Sequence, residues 1–233
     1  MTIDLNGKDE INFYEEARLI KSLQHPNIIQ LYGVIKPPNE NPIMIMDFYE
    51  NGSLYHLLHE ENIKLNMKDQ ISISFGIANG VNYLHRLHPK IIHRDLKSEN
   101  VLLTKDKKPI LTDFGLAKVK IETQKVTQAV GTPQWMAPEL FDEDEGKLTE
   151  KVDIYSFGMV LYEISTNLIP FEGKSLMQLA KLVGIEGKRP IIPDHCDPFF
   201  KSLIEECWVQ DYKKRPSIIP ICAQLEVKNI EFE

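Results

Sequence analysis

The sequence predicts an α+β fold of two unequal parts, on three observations. Two short apolar, β-branched runs, Ile28 to Ile35 and Ile43 to Phe48, flank the loop Pro37-Pro38-Asn39-Glu40-Asn41-Pro42 and read as two strands of one sheet. The stretches Met67 to Leu87 and Thr149 to Thr166 are long and apolar enough to be largely buried helices. No repeat, low-complexity tract or Gly/Ser linker separates these regions, so any junction is a short hinge.

In order along the chain, Ile11 to Leu23 places Phe13, Ala17, Ile20 and Leu23 at helical spacing. The following His25-Pro26-Asn27 ends that helix, because proline disfavours a helical residue before it. The two strands come next, and beyond Asn51-Gly52 the pattern turns helical. Short strand-like pieces at Val101 to Leu103 and Ile110 to Leu111 lie between the two long helices. Further helices are expected near Ser175 to Val183, Pro198 to Trp208 and Ser217 to Leu225.

With 233 residues and 42% apolar content, the chain can bury a substantial core. A net charge of −7, from 27 basic and 34 acidic residues, argues against non-specific binding to nucleic acid or an anionic membrane. Cys196, Cys207 and Cys222 are too few and too irregularly spaced for a disulfide framework or a zinc site and read as small buried apolar residues. Met1 to Lys8 lacks the apolar core of a signal peptide, and no run reaches the roughly 18 apolar residues that span a bilayer. A soluble, cytoplasmic location is the expectation.

The chemistry concentrates in His93-Arg94-Asp95-Leu96-Lys97-Ser98-Glu99-Asn100 and in Asp113-Phe114-Gly115. Moving a γ-phosphoryl group needs a carboxylate at the acceptor hydroxyl, divalent metal on hard oxygen ligands, and positive charge over the spreading anion. Asp95 suits the first task. Asn100 and Asp113 suit Mg²⁺ ligation, and Lys97 suits charge neutralisation on ATP.

The sequence thereby resembles the eukaryotic protein kinases, and the resemblance covers nearly the whole chain. His25-Pro26-Asn27-Ile28 is similar to the loop after the family's regulatory helix. Gly131-Thr132-Pro133-Gln134-Trp135-Met136-Ala137-Pro138-Glu139 is similar to its substrate-docking segment, Asp153-Ile154-Tyr155-Ser156-Phe157-Gly158 to its buried central helix, and Cys207-Trp208 with Arg215-Pro216 to its closing helices. The resemblance implies a bilobal fold with a partial N-lobe over residues 1–47, a hinge at 48–50 and a complete, mainly helical C-lobe over 51–230. It also implies roles for single residues. Met46 guards the back of the nucleotide pocket, Asp47 and Tyr49 offer backbone groups to adenine, and Leu102 forms its floor. Asp153 braces the backbone at His93 and Arg94, and Arg215 pairs with Glu139. Lys97, two residues after Asp95, together with Thr132, is similar to kinases acting on Ser and Thr, and the motif set looks most like the tyrosine-kinase-like group. Protein substrates follow from the same likeness.

Arg94 beside Asp95 resembles kinases whose activation loop is ordered by phosphorylation. Thr123 and Thr127 are the candidate acceptors, for an upstream kinase or for trans-autophosphorylation, with Arg94 and Lys118 as phosphate partners. One departure stands at the start. Glu16 matches the glutamate that orients the ATP-anchoring lysine, but the resemblance puts that lysine at or before Met1. The sequence holds no Gly-x-Gly-x-x-Gly loop and no Val-Ala-x-Lys strand, and Lys8 sits in the turn-like stretch Asn6 to Asp9. Without the roof of those strands adenine loses apolar contacts of roughly 1.5 to 3 kcal/mol each, so ATP and Mg²⁺ binding is expected to be weak. Three readings stay open: a Ser/Thr kinase domain with its remaining strands upstream, a pseudokinase-like scaffold or binding module, and a fragment without independent function.

Overall fold

The computed structural model describes residues 7–38, 40–119, 131–141 and 148–232. Helix α1 (Gly7–Ser22) begins earlier than the apolar spacing indicates, so Gly7 to Asp9 of the turn-like stretch fall in its first turn. Asp9 and Glu10 in that turn and Lys21 in the last complement the helix dipole, which extends the helix beyond its apolar face. Ala17 and Ile20, with Leu23 just past the helix end, are buried.

Strands β1 (Leu31–Ile35) and β2 (Ile43–Met46) form an antiparallel ribbon with Gly33 opposite Ile45 and Ile35 opposite Ile43. The first strand is shorter than expected because the residues before it serve another partner. Ile29 N–H donates to Leu111 C=O at 2.9 Å and Leu111 N–H donates to Asn27 C=O at 2.9 Å. Ile28 and Ile29 are consecutive and both buried, a pattern no half-exposed strand produces. The ribbon leaves Tyr32, Ile35, Ile43, Ile45 and Met46 exposed.

A wide-pitched helical turn at His56–Glu60 leads to helix α2 (Met67–Arg86), whose N-terminus is capped by Asn66 Oδ1 accepting from Asp69 N–H at 2.8 Å. Two glycines four residues apart let α2 approach the hairpin of β4 (Val101–Leu103) and β5 (Pro109–Leu111) closely. A Cβ on Gly76 would come within 2.5 Å of Pro109 Cγ, and one on Gly80 within 2.7 Å of Leu111 Cδ1. Strand β3 (Ile91–Ile92) pairs antiparallel with β6 (Lys118–Val119), and two residues are too few for sequence periodicity to reveal either strand.

Helix α3 (Lys151–Thr166) is buried on nearly all sides, from Val152 to Ile164, and stops at Asn167, whose φ of 60° gives a left-handed cap. Helix α4 (Leu176–Leu179) carries a capping box between Ser175 and Gln178 and runs on into a wide-pitched stretch, Ala180–Ile185. Helices α5 (Pro198–Cys207) and α6 (Ile218–Ile230) pack on α3 and α2 respectively. Gly158 makes the first of these contacts close, since a Cβ there would lie 2.8 Å from Cys207 Cβ. All three cysteines are buried as free thiols, and burial pushes that of Cys222 up to about 11.

Candidate active site

Asp153, on the first turn of α3, is fully buried and its carboxylate organises the loop that carries Asp95. Its Oδ2 accepts from His93 N–H at 2.9 Å and lies 2.8 Å from His85 Nε2, while Oδ1 accepts from Arg94 N–H at 2.9 Å. Burial alone would raise this carboxyl. The hydrogen bond and charge of His85, the nearby His93 and the Arg94 N–H together hold it below its ordinary value. Such bracing is needed because Arg94 and Asp113 both have left-handed backbone, φ 71° and 58°, which side chains other than glycine adopt at an energetic cost. His93 lies against Phe114, ring centroids 5.0 Å apart, with Nε2 3.1 Å from Thr112 C=O. The loop and the Asp113-Phe114-Gly115 turn are thereby fixed to each other.

Asp95 Oδ1 accepts from both the N–H and the hydroxyl of Thr132, each at 2.9 Å. The Asn100 amide Nδ2 donates to Asp95 C=O at 2.8 Å and to Asp95 Oδ2 at 3.1 Å, so its oxygen is the atom suited to a cation. Lys97 Nζ donates to Thr132 Oγ1 at 2.7 Å and stands 3.4 Å from Asp95 Oδ2 and 3.1 Å from Glu99 Oε2. Burial would lower the Lys97 ammonium, but Glu99 and Asp95 outweigh it and hold it above its ordinary value. It stays charged at neutral pH.

Glu16, on α1, meets the Asp113 turn: its Oε2 is 3.4 Å from where a Cβ on Gly115 would sit, and it accepts from Phe114 N–H. Burial first, and then the charge of Asp113, raise the Glu16 carboxyl. Two acidic groups thus share this corner, and among the described residues no ion pair with a cation relieves them. A divalent ion held by hard oxygens fits such a place. Among the described residues no group of three His, Cys, Asp or Glu side chains could hold a metal unaided. One carboxylate and one amide, completed by phosphate oxygens, is the donor set that Mg²⁺ accepts.

The residues expected to face the nucleotide are placed by the pairing of Gly52 and Ser53 with β4. Leu103 N–H donates to Gly52 C=O at 3.0 Å and Ser53 bridges Leu102, which brings the end of the 46–52 segment beside Leu102. Tyr49 C=O accepts from Gly52 N–H at 3.1 Å, and Asp47 Oδ1 accepts from Tyr32 OH at 2.8 Å. Met46 is 38% exposed and Phe48 87% exposed. Thr123 and Thr127 lie outside the described residues, and Lys118 is described only as part of β6. Arg94 is buried, with Nη1 donating to Leu116 C=O at 3.3 Å and its Nε without a partner.

The segment 131–141 is clamped through Glu139. Arg215 Nη1 and Nη2 donate to Glu139 Oε1 and Oε2, both at 2.7 Å, and the guanidinium stacks 5.1 Å from the Tyr155 ring. Glu163 was not recognised from the sequence. It is fully buried on α3 and accepts from Ser98 Oγ at 2.5 Å and Trp135 Nε1 at 2.7 Å, with His59 Nε2 at 3.0 Å. Its signal was a lone glutamate in the apolar second half of a helix buried all round, where a charged side chain must have partners.

The comparisons agree with this geometry. The family described as protein tyrosine and serine/threonine kinase matches residues 2–225. The chain is 39% identical over 225 residues to the probable serine/threonine-protein kinase SIS8 of Arabidopsis thaliana, covering 96% of this chain and 22% of that protein. It is 40% identical over 228 residues to the probable serine/threonine-protein kinase drkC of Dictyostelium discoideum, covering 95% and 30%. The serine/threonine-protein kinase CTR1 of Arabidopsis thaliana is 37% identical over 225 residues, with 95% and 27% covered. The chain therefore spans less than a third of the length of these relatives. No helix among the described residues is long and apolar enough to cross a membrane. With an α+β fold, Asp95, Lys97 and Asn100 held together in one loop and a family match over nearly its whole length, the chain belongs to the protein tyrosine and serine/threonine kinase family.

Proposed function

We propose that this chain is the catalytic part of a protein serine/threonine kinase, transferring the γ-phosphoryl group of ATP to a Ser or Thr hydroxyl. The observation that carries this reading is that Asp95 Oδ1 already accepts a hydrogen bond from an aliphatic hydroxyl, Thr132 Oγ1, at 2.9 Å, with Lys97 Nζ 2.7 Å from that same oxygen. A substrate hydroxyl meeting Asp95 in the same manner gives its proton to the carboxylate as its oxygen bonds phosphorus and the bond to ADP breaks. Lys97 places positive charge beside the reacting oxygens. Asn100 and Asp113 are the residues that would hold Mg²⁺, which when bound neutralises charge on the phosphate oxygens. Residues 48–50 serve as the hinge, Asp47 just before it and Tyr49 within it offer backbone groups to adenine, and Leu102 is its floor. The Ser/Thr preference is supported by the Lys97–Thr132 contact and by the names of the relatives. The buried, reduced cysteines accord with the cytoplasm.

Arg94 supports a regulatory reading as well. Its buried, partly unpaired guanidinium suits a phosphate on Thr123 or Thr127, and replacing both by alanine should then lower activity. A second reading, a nucleotide-poor scaffold, is favoured by the exposure of Met46 and by a Glu16 that, among the described residues, meets Asp113 instead of a cation. A thermal-shift titration with Mg²⁺-ATP, paired with Asp113→Asn, separates them. A saturable, Mg²⁺-dependent shift that the variant loses supports the kinase reading, and no shift up to millimolar ATP supports the scaffold.

A further inference from the structure

A groove of about 370 Å³ lies where the loop after α1 meets the C-terminal half of α2, lined by His25, Asn79, Asn82, Tyr83, Arg86 and Leu87. Asn79, Asn82, Tyr83 and Arg86 stand at i, i+3, i+4 and i+7, so they form one stripe along the helix. Two asparagines are an unusual choice there. Asparagine is a weak helix former because its amide competes with the backbone, and a face that only meets water is served better by Glu, Lys or Gln.

The stripe is rich in donors that have nothing to bond. Tyr83 OH accepts from Gln24 N–H at 3.0 Å, and its own proton has no acceptor among the described residues. His25 Nδ1 accepts from Asn27 N–H at 3.1 Å, which puts the ring proton on Nε2. Burial lowers His25, so the ring is neutral at neutral pH, and it stacks on Tyr83 with centroids 5.0 Å apart. Asn82 Oδ1 is buried without a donor, which leaves the amide nitrogen as its accessible end. The Asn79 amide and the Arg86 guanidinium have no partner among the described residues.

No described carboxylate lines the groove, in a chain with 34 acidic against 27 basic residues, and Arg86 is its one fixed charge. Arg86 stands in the last turn of α2, where its charge offsets the negative helix end, so an anion there meets a cation instead of bare carbonyls. Five donor side chains exceed what the two oxygens of a carboxylate accept, whereas the three terminal oxygens of a phosphate ester can take them.

We propose that this groove binds a phosphate monoester, with Arg86 supplying the charge and Tyr83 O–H, His25 Nε2–H and the amides of Asn79 and Asn82 the further hydrogen bonds. The groove shares no residue with the phosphoryl-transfer site and does not depend on the kinase reading.

The test is two-dimensional NMR of the full chain, titrated with glycerol 2-phosphate at constant ionic strength and without Mg²⁺. The side-chain amide signals of Asn79 and Asn82 and the ring signals of His25 should shift together and saturate. Arg86→Gln should weaken this binding about tenfold, and Arg86→Lys, which keeps the charge but not the fork, should fall between. Arg86 is exposed and both replacements are good helix formers, so Tm should stay unchanged. Parallel titrations use inorganic phosphate and acetate. Equal affinity for inorganic phosphate supports a site for the phosphate group alone, and weaker affinity supports one that also holds the ester side. Shifts that do not saturate, acetate binding as tightly as glycerol 2-phosphate, or unchanged affinity in Arg86→Gln overturns the proposal.

Discussion

Thr132 holds Asp95 by two hydrogen bonds to one oxygen, from its N–H and its hydroxyl, both at 2.9 Å, and Lys97 grips the same hydroxyl from the other side at 2.7 Å. The hydroxyl is thus part of the frame that aims the carboxylate. Thr132→Val keeps the shape and the backbone bond but removes the hydroxyl. Peptide phosphorylation should fall by about 10²-fold through misplacement of Asp95 and Lys97, with the Mg²⁺-ATP thermal shift unchanged.

Asp153→Asn should destabilise the chain by about 3 to 5 kcal/mol, because an amide offers one acceptor where His85, His93 and Arg94 require a carboxylate. The pH dependence has a definite sign. A carboxyl held below its ordinary 3.8 in the folded state contributes stability that is fully present above that pH and is lost as pH falls through the folded value. Urea unfolding across a pH series should show the gap between the two proteins narrowing below pH 3.8.

Glu163 acts in the opposite sense. Its carboxyl is raised above the ordinary 4.5, so folding takes up a proton there and the associated stability declines as pH rises from 4.5 through the folded value. Glu163→Gln should flatten that limb of the stability curve, and the same urea series reads it.

Glu139→Ala should cost about 3 to 5 kcal/mol by leaving the Arg215 guanidinium, whose side chain is 0% exposed, without its paired carboxylate. Arg215→Lys should cost less yet fail to restore the native midpoint, since an ammonium cannot make the two parallel bonds. Chemical denaturation of both variants checks the order.

Gly158→Ala should destabilise by about 1 to 3 kcal/mol, since the new methyl would sit 2.8 Å from Cys207 Cβ and push α3 from α5. Pairing it with Cys207→Ala, which vacates space at the same point, should recover part of the loss in thermal melts.

What was legible in the sequence follows from how far apart interacting residues lie. Asp95, Lys97 and Asn100 fall within one loop, so their spacing alone announces the chemistry. Glu163 bonds Ser98 across 65 positions and His59 across 104, and no local pattern encodes such a meeting. Long helices such as α2 and α3 were readable from their apolar runs, whereas β3 and β6 are two residues each and below any periodicity. The first strand began three residues late because Asn27 and Ile29 bond to Leu111, a partner 82 to 84 positions away by residue number.

The burial of every cysteine has a practical consequence. Cys196, Cys207 and Cys222 are shielded, and desolvation raises each thiol, so little thiolate is present at neutral pH to meet an alkylating reagent. A cysteine introduced at an exposed position such as Met177 would be the one fast-reacting handle on the native chain. A fluorophore or spin label could then be attached at a chosen point without first stripping the molecule of its own sulfur.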